Sequence, residues 1–108
     1  MMIKKEKKVK EKCTLQEILH VIGGKWSMSI IYALFSGTMR FSELERIIPN
    51  INTRMLVKEL KNMESNGIVV RKVYATVPPT VEYTLTMKGK ELEPIIDELY
   101  QWGLKYVH

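Results

Sequence analysis

Apolar residues recur every three or four positions over the first third of the chain, a spacing that indicates amphipathic helices. The first stripe predicts a helix of about two turns that starts near Thr14 and ends at Gly23-Gly24. The second, wider stripe predicts a largely buried helix that ends at Ser36-Gly37. The two stripes consist of Leu15, Ile18, Leu19 and Ile22, and of Trp26, Ile30, Ala33 and Leu34.

Two further helices follow, joined by a very short turn. The first has its apolar positions between Phe41 and Ile48, and Ser42 with Glu45 predicts a capping box at its start. It ends before Pro49, because proline disfavours a helical backbone at the preceding residue. The second helix begins at Asn52 or Thr53, either of which can cap it, and ends at Asn66-Gly67. We expect its buried side to consist of Leu56, Leu60 and Met63.

The period then changes to two, which predicts a pair of strands. Val69, Arg71 and Val73 lie on one side of the first strand, and Val81, Tyr83 and Leu85 on one side of the second. Their connection, residues 75–80, contains two prolines and is too long for a tight turn, so we expect a protruding loop. A last helical stripe runs from about residue 86 to the end of the chain, and we expect Pro94 to bend that helix.

This order of elements predicts a mainly α fold with a small β-hairpin, a winged helix-turn-helix with extra N- and C-terminal dimerisation helices. The 108 residues leave no room for a second core of ordinary size. We expect a basic tail over residues 1–12 and a single domain over residues 13–108. Within that domain the helix-turn-helix spans about 41–66, the wing about 68–85 and the C-terminal dimerisation helix about 86–108.

The net charge of +5 is concentrated at the start of the chain, where residues 1–12 hold six lysines and two glutamates. Such a tail is either a solvated, frayed terminus or an arm that contacts DNA. The sequence has no apolar run long enough to span a bilayer and no secretion signal. A lone cysteine, Cys13, is typical of a reducing compartment, so we expect a cytoplasmic protein without a membrane partner.

The exposed side of the second helix of a helix-turn-helix enters the major groove of double-stranded DNA. Thr53 and Arg54 are positioned to contact base edges, and Lys58 and Lys61 to contact phosphates. The base of the wing adds basic groups that can contact the DNA backbone, although a plain surface hairpin would carry them too. The candidate DNA-binding residues are Asn52, Thr53, Arg54, Val57, Lys58, Lys61, Arg71 and Lys72.

The last helix carries more apolar residues than a core of this size needs, which predicts a homodimer interface. In the alternative interpretation the helix only covers its own domain. A helical dimer presents two recognition helices about 34 Å apart and requires a palindromic site. The candidate interface residues are Leu15, Ile18, Leu99, Trp102 and Tyr106.

Other candidate chemistry is sparse. Cys13 is either a reactive thiolate, favoured by Lys12 and the helix start, or a small buried apolar residue. His20 lacks a second metal ligand at usable spacing, so we expect a structural or interfacial role. The sequence has no phosphate-binding glycine loop, zinc-ligand pair or nucleophile elbow, so we expect no enzyme activity, no cofactor and no metal.

Several blocks of the sequence resemble the HxlR-type transcriptional regulators, which are related to the MarR-type regulators. The resemblance spans residues 13–103, and its most specific blocks are Ile-Gly-Gly-Lys-Trp at 22–26 and Val-Pro-Pro-Thr-Val-Glu-Tyr at 77–83. It also includes Cys13, residues 40–44, Ile48-Pro49, Ile51, Met55-Leu56, Leu60, Gly67 and Trp102-Gly103.

The resemblance implies a bacterial winged helix-turn-helix dimer, built through its terminal helices, that binds operator DNA. It also implies that Cys13 senses oxidants or electrophiles, as a cysteine at the matching place does in several members. Val57 and Glu59 depart from the family pattern, in which the recognition helix is often polar and uncharged there. The competing hypothesis is a winged-helix protein-interaction module with only non-specific affinity for DNA. The sequence names no operator, target gene or small-molecule effector.

Overall fold

The computed structural model describes residues 12–107, with side chains from Thr14 onward. These residues form six helices and three short strands. In chain order the elements are α1 (Lys12–Ile22), α2 (Ser27–Leu34), β1 (Met39–Arg40), α3 (Phe41–Ile47), α4 (Thr53–Ser65), β2 (Val69–Tyr74), β3 (Thr80–Leu85), α5 (Met87–Lys90) and α6 (Glu93–Tyr106). The predicted winged helix-turn-helix with additional terminal helices is confirmed.

The core lies where α2, α3 and α4 meet the inner face of the sheet. The predicted buried side of α4 is confirmed, because Leu56, Leu60 and Met63 are each almost completely inaccessible. α2 is mainly buried, as its wide apolar stripe predicted. Burial of these side chains supplies the main driving force for the fold. The core residues are Ile30, Ile31, Leu34, Leu44, Ile48, Leu56, Leu60, Met63, Ile68, Val69, Tyr83, Leu85 and Ile96.

The sheet has three antiparallel strands in the order β1-β3-β2. The two strands of the predicted wing pair over their full length, from Val69 opposite Leu85 to Tyr74 opposite Thr80. Thr80 thus belongs to β3, and the connecting loop is one residue shorter than predicted. The sequence did not reveal β1, because a strand of two residues is too short to show a period of two.

The start of α3 differs from the prediction. The helix begins at Phe41, and the backbone N–H of Arg40 donates to Glu43 Oε1 at 2.8 Å. The expected capping box of Ser42 and Glu45 is therefore wrong by two residues. The sequence pattern marks Ser42 by residue type, whereas the observed contact uses only the backbone of Arg40, which no side-chain preference marks. The carboxylate of Glu45 is left for another contact.

The predicted C-terminal helix is divided into two. Thr86 caps the short α5, since its Oγ1 accepts from the N–H of Gly89 at 3.1 Å. The chain turns through Glu91 and Leu92 before α6 begins. Pro94 lies in the first turn of α6 instead of bending a continuous helix. Proline is tolerated there because the first N–H groups of a helix have no partner within it.

Candidate nucleic-acid interface

The helix that carries the candidate DNA-contacting residues is held firmly at its start. Asn52 precedes α4, and its Oδ1 accepts from the N–H of Met55 at 2.8 Å. Asn52 is therefore the cap that the sequence offered as one of two choices. The preceding turn is sharp, with Asn50 in the left-handed region at a φ of 66°. The turn and cap together set the direction in which α4 leaves the helix-turn-helix.

The side of α4 opposite the core presents a basic stripe. Arg54, Lys58 and Lys61 are exposed and lie at positions i, i+4 and i+7, which places them on one face. Val57 is exposed between them. Arginine can bind guanine through two parallel hydrogen bonds, and lysine binds phosphate as a point charge. The stripe therefore combines one group suited to base recognition with two suited to the DNA backbone.

Thr53, the first residue of α4, is exposed but already makes a side-chain contact. Its hydroxyl donates to Oε2 of Glu45, which lies on α3. Glu45 is absent from the candidates derived from the sequence. Its eight-residue separation from Thr53 follows no helical repeat, so no sequence signal marks the contact.

Glu59 lies on α4 but does not belong to the basic stripe. It is half-buried, and its Oε1 accepts from the hydroxyl of the buried Ser27 at 3.0 Å. Ser27 is the first residue of α2. Gly24 leaves the space for this contact, since a Cβ there would lie 2.8 Å from Ser27 Oγ and 3.0 Å from Glu59 Oε2. The apparent departure of Glu59 from a polar, uncharged recognition surface is thus explained by a structural role.

The same side of α4 is also tied to α1. Asn62 Nδ2 donates to the backbone carbonyl of His20 at 3.3 Å. The His20 side chain is exposed, and the contact uses only its backbone. Contacts from α1, α2 and α3 therefore reach α4 at Asn62, Glu59 and Thr53.

The wing presents its two candidate basic residues on different faces. Lys72 stands opposite Glu82, and Arg40 of β1 stands opposite the same glutamate, so a carboxylate lies between two basic residues in one cross-strand row. Lys72 Nζ is also 5.1 Å from the centre of the Tyr74 ring. Arg71 stands opposite Tyr83, in a row without a carboxylate. Arg71 therefore has no acidic residue opposite it, and the loop between the two strands carries no charge.

The terminal helices expose apolar surface. α6 is anchored in the core by Ile96, while Leu99, Trp102 and Tyr106 remain exposed, with Trp102 at 58%. On α1, Leu15, Ile18 and Leu19 are exposed, while Val21 and Ile22 at its end pack against the core. The structure thus keeps all five candidate interface residues accessible. We define the apolar face of α6 as Ile95, Leu99, Trp102 and Tyr106, which are exposed and lie at positions i, i+4, i+7 and i+11.

Two of the sequence-derived assignments fall at the edge of the structure. The basic tail lies outside the described residues, apart from the backbone of Lys12 at the start of α1. The backbone of Cys13 lies in the first turn of α1, but its side chain is outside the described residues. Within residues 12–107, no cluster of three metal-ligating side chains is present. No helix in this described part is long and apolar enough to cross a bilayer.

Comparison with known proteins gives consistent matches over most of the chain. A sequence model of the HxlR-like helix-turn-helix family matches residues 21–108. The HTH-type transcriptional regulator YkvN of Bacillus subtilis (strain 168) is 49% identical over 94 residues, which cover 87% of this chain and 80% of YkvN.

Two solved structures extend the comparison. The redox regulator HypR in its oxidized form superposes with a TM-score of 0.79 at 46% identity, covering 86% of this chain and 96% of HypR. A MarR-family transcriptional regulator from Porphyromonas gingivalis W83 superposes with a TM-score of 0.82 at 38% identity, covering 89% of this chain and 94% of that one.

Proposed function

We propose, from the premise that this chain belongs to the HxlR-like helix-turn-helix family of transcriptional regulators, that it binds a palindromic operator as a homodimer. The observation that carries the proposal is the basic stripe of Arg54, Lys58 and Lys61 on the face of α4 opposite its buried side. A helix with one face in the core and a basic face outside fits the major groove of DNA. The proposal contains no catalytic step, and it locates the protein with the chromosome in the cytoplasm.

In this proposal the two ends of the recognition helix α4 make different contacts with DNA. Thr53 and Arg54, at the end that enters the groove first, contact base edges. Lys58 and Lys61 bind phosphates, with Val57 packed between them against the groove wall. Asn52 caps this end of the helix and so fixes its position at the DNA. On the wing, Arg71 approaches the backbone of the adjacent minor groove more readily than Lys72, because Glu82 faces Lys72.

The homodimer is proposed to form through α1 and the apolar face of α6. A contiguous apolar face on a small soluble chain marks an interface, and its aromatic side chains are those enriched in interface centres. Trp102 and Tyr106 lie in contact, with ring centres 5.4 Å apart. Pairing of this face with that of a second copy brings two recognition helices to successive turns of the duplex, about 34 Å apart.

We further propose that oxidation of Cys13 lowers operator affinity. Cys13 lies in the first turn of α1, a helix of the proposed interface, and the similar protein HypR is a redox regulator. The thiol would form a disulfide either with the partner's Cys13 or with a small thiol. In each case two thiols lose two protons and two electrons to an oxidant such as diamide. A covalent bond at that position alters the packing of α1 and hence the spacing of the recognition helices.

The experiment that tests DNA recognition is selection of duplexes from a random pool, followed by titration of binding against salt. The expected result is a palindromic consensus that binds at least about a thousandfold more tightly than random DNA. Equal, weak binding to every sequence would contradict the proposal. That result would favour the competing function, a protein-interaction module that docks through the apolar face of α6 and touches DNA only by charge.

A further inference from the structure

We infer that Glu45 is a specificity-determining residue of this regulator, because it fixes which hydrogen-bonding group Thr53 presents to a base. The inference rests on the proposed function, in which the exposed face of α4 enters the major groove. Glu45 lies on α3, outside the recognition helix, and is half-buried beside the start of α4. It acts on DNA through Thr53 and is therefore a positioning residue.

The hydrogen bond between Thr53 and Glu45 has only one possible direction. A carboxylate offers acceptor lone pairs alone, so the hydroxyl of Thr53 must donate its proton to Glu45 Oε2. A threonine hydroxyl has one proton and two acceptor lone pairs. While the contact is made, the hydroxyl has no proton left for DNA. Thr53 therefore faces the groove as an acceptor with a methyl group beside it.

This restriction selects among the bases. In the major groove, adenine N6 and cytosine N4 are donors, whereas guanine N7 and O6 and thymine O4 are acceptors. An acceptor-only hydroxyl can bond to adenine or cytosine and cannot bond to guanine or thymine. Phosphate oxygens are acceptors as well, so they offer Thr53 no alternative partner. We expect adenine or cytosine at the position that Thr53 faces.

The negative charge of Glu45 also favours base contact over phosphate contact at the start of α4. The N-terminus of a helix carries partial positive charge and unpaired N–H groups, and it commonly attracts a phosphate. The first turn of α4 contains no acidic residue of its own, and Glu45 supplies the negative charge from the neighbouring helix. A phosphate approaching this end would meet a carboxylate. The start of α4 is thereby reserved for base contact, while Lys58 and Lys61 bind the backbone farther along.

The test compares base preferences of the full-length wild type with T53V, E45L and the control E64L on the selected operator. Glu64 is an exposed glutamate near the other end of α4, so E64L removes the same charge without touching Thr53. The T53V variant identifies the base pair that Thr53 faces, because that is the position at which the variant no longer discriminates between bases. There the wild type is expected to prefer adenine or cytosine by about three- to tenfold. Replacing that adenine by purine, or that cytosine by 2-pyrimidinone, removes the amino group and should cost the same factor.

Leucine at position 45 neither donates nor accepts, so E45L releases the hydroxyl proton, and discrimination at that position should fall below about twofold. E64L should keep the wild-type preference. The inference is overturned if E45L retains the wild-type base preference at that position. It is also overturned if T53V changes the base preference at no operator position while Arg54→Ala changes it at one. If the wild type selects no operator at all, the proposed function itself fails and the inference fails with it. Circular dichroism of each variant checks that a changed preference does not reflect unfolding.

Discussion

Ser27, buried at the start of α2, donates its hydroxyl proton to Glu59 on α4, 32 residues further along the sequence. The contact holds a charged residue of α4 away from the basic stripe of Arg54, Lys58 and Lys61 and ties α4 to α2. Gly24 leaves room for it, because a Cβ there would lie 2.8 Å from Ser27 Oγ and 3.0 Å from Glu59 Oε2, so these side chains would have to shift. Within the Gly-Gly-Lys-Trp block, Gly24 thus accommodates a contact that ties α4 to α2.

Replacing Ser27 by alanine should lower the free energy of unfolding by about 1–3 kcal/mol, because a half-buried carboxylate loses its partner. Urea denaturation followed by circular dichroism measures the change. Ser29→Ala is the matched control, since Ser29 is exposed on the same helix and should shift the free energy by less than about 0.5 kcal/mol. Equal effects of the two substitutions would show that the contact with Glu59 does not stabilise the fold.

Arg54→Ala should reduce discrimination between the operator and its single-base variants by about 1–3 kcal/mol, because arginine reads guanine through paired hydrogen bonds. Mobility-shift titrations on the selected operator and its variants measure this loss. An unchanged affinity for the operator would remove Arg54 from the interface.

Lys61→Ala should behave differently from Arg54→Ala. It should weaken binding to all sequences alike and reduce the slope of log affinity against log salt by about 0.9, the value for one phosphate contact on duplex DNA. The same titrations repeated at several salt concentrations provide the measurement. Lys90→Ala, an exposed lysine on α5, is the control and should leave the slope unchanged. A sequence-dependent loss for Lys61→Ala would assign that residue to base recognition instead.

Trp102→Ala should raise the dissociation constant of the homodimer at least about thirtyfold, because a truncated aromatic anchor at an interface costs 2 kcal/mol or more. Sedimentation velocity over a range of concentrations gives the monomer–dimer equilibrium. Gln101→Ala alters a neighbouring exposed residue of α6 and should have little effect. Wild-type association of the Trp102 variant would contradict a dimer built on this face.

Cys13→Ser should abolish the loss of operator binding that diamide is expected to cause in the wild type. Mobility shifts before and after oxidation, with dithiothreitol added to reverse the change, measure the effect. Non-reducing electrophoresis distinguishes a disulfide between two copies, which doubles the mass, from a mixed disulfide with a small thiol. A Cys13→Ser protein that responds to diamide as the wild type does would exclude Cys13 as the sensor.

The helical part of the fold could be predicted because its burial follows a repeat. The apolar positions of α4 recur every three or four residues, so Leu56, Leu60 and Met63 identified the buried face, and Arg54 and Lys61 the exposed one. Local capping was harder to predict, because Glu43 bonds to the backbone of Arg40, a residue type that does not mark a helix start. The short β1 was invisible, because its pairing with β3 depends on the tertiary fold.

The candidate nucleic-acid interface was only partly predictable, because side-chain contacts between helices also depend on the tertiary fold. The sequence places Thr53 and Glu59 on α4 but does not state which neighbours they meet. Those neighbours, Glu45 and Ser27, are brought in by the crossing of helices, which no repeat along the chain encodes. The contacts of Thr53 with Glu45 and of Glu59 with Ser27 are therefore visible only in the three-dimensional structure.

In the proposed homodimer, which forms through the exposed apolar face of α6, operator occupancy depends on the abundance of the protein itself. If two copies must dimerise before either binds its half-site tightly, operator occupancy rises more steeply than linearly with protein concentration. A modest drop in synthesis would then release the operator disproportionately. The cell would gain a threshold response from a protein of 108 residues without any effector.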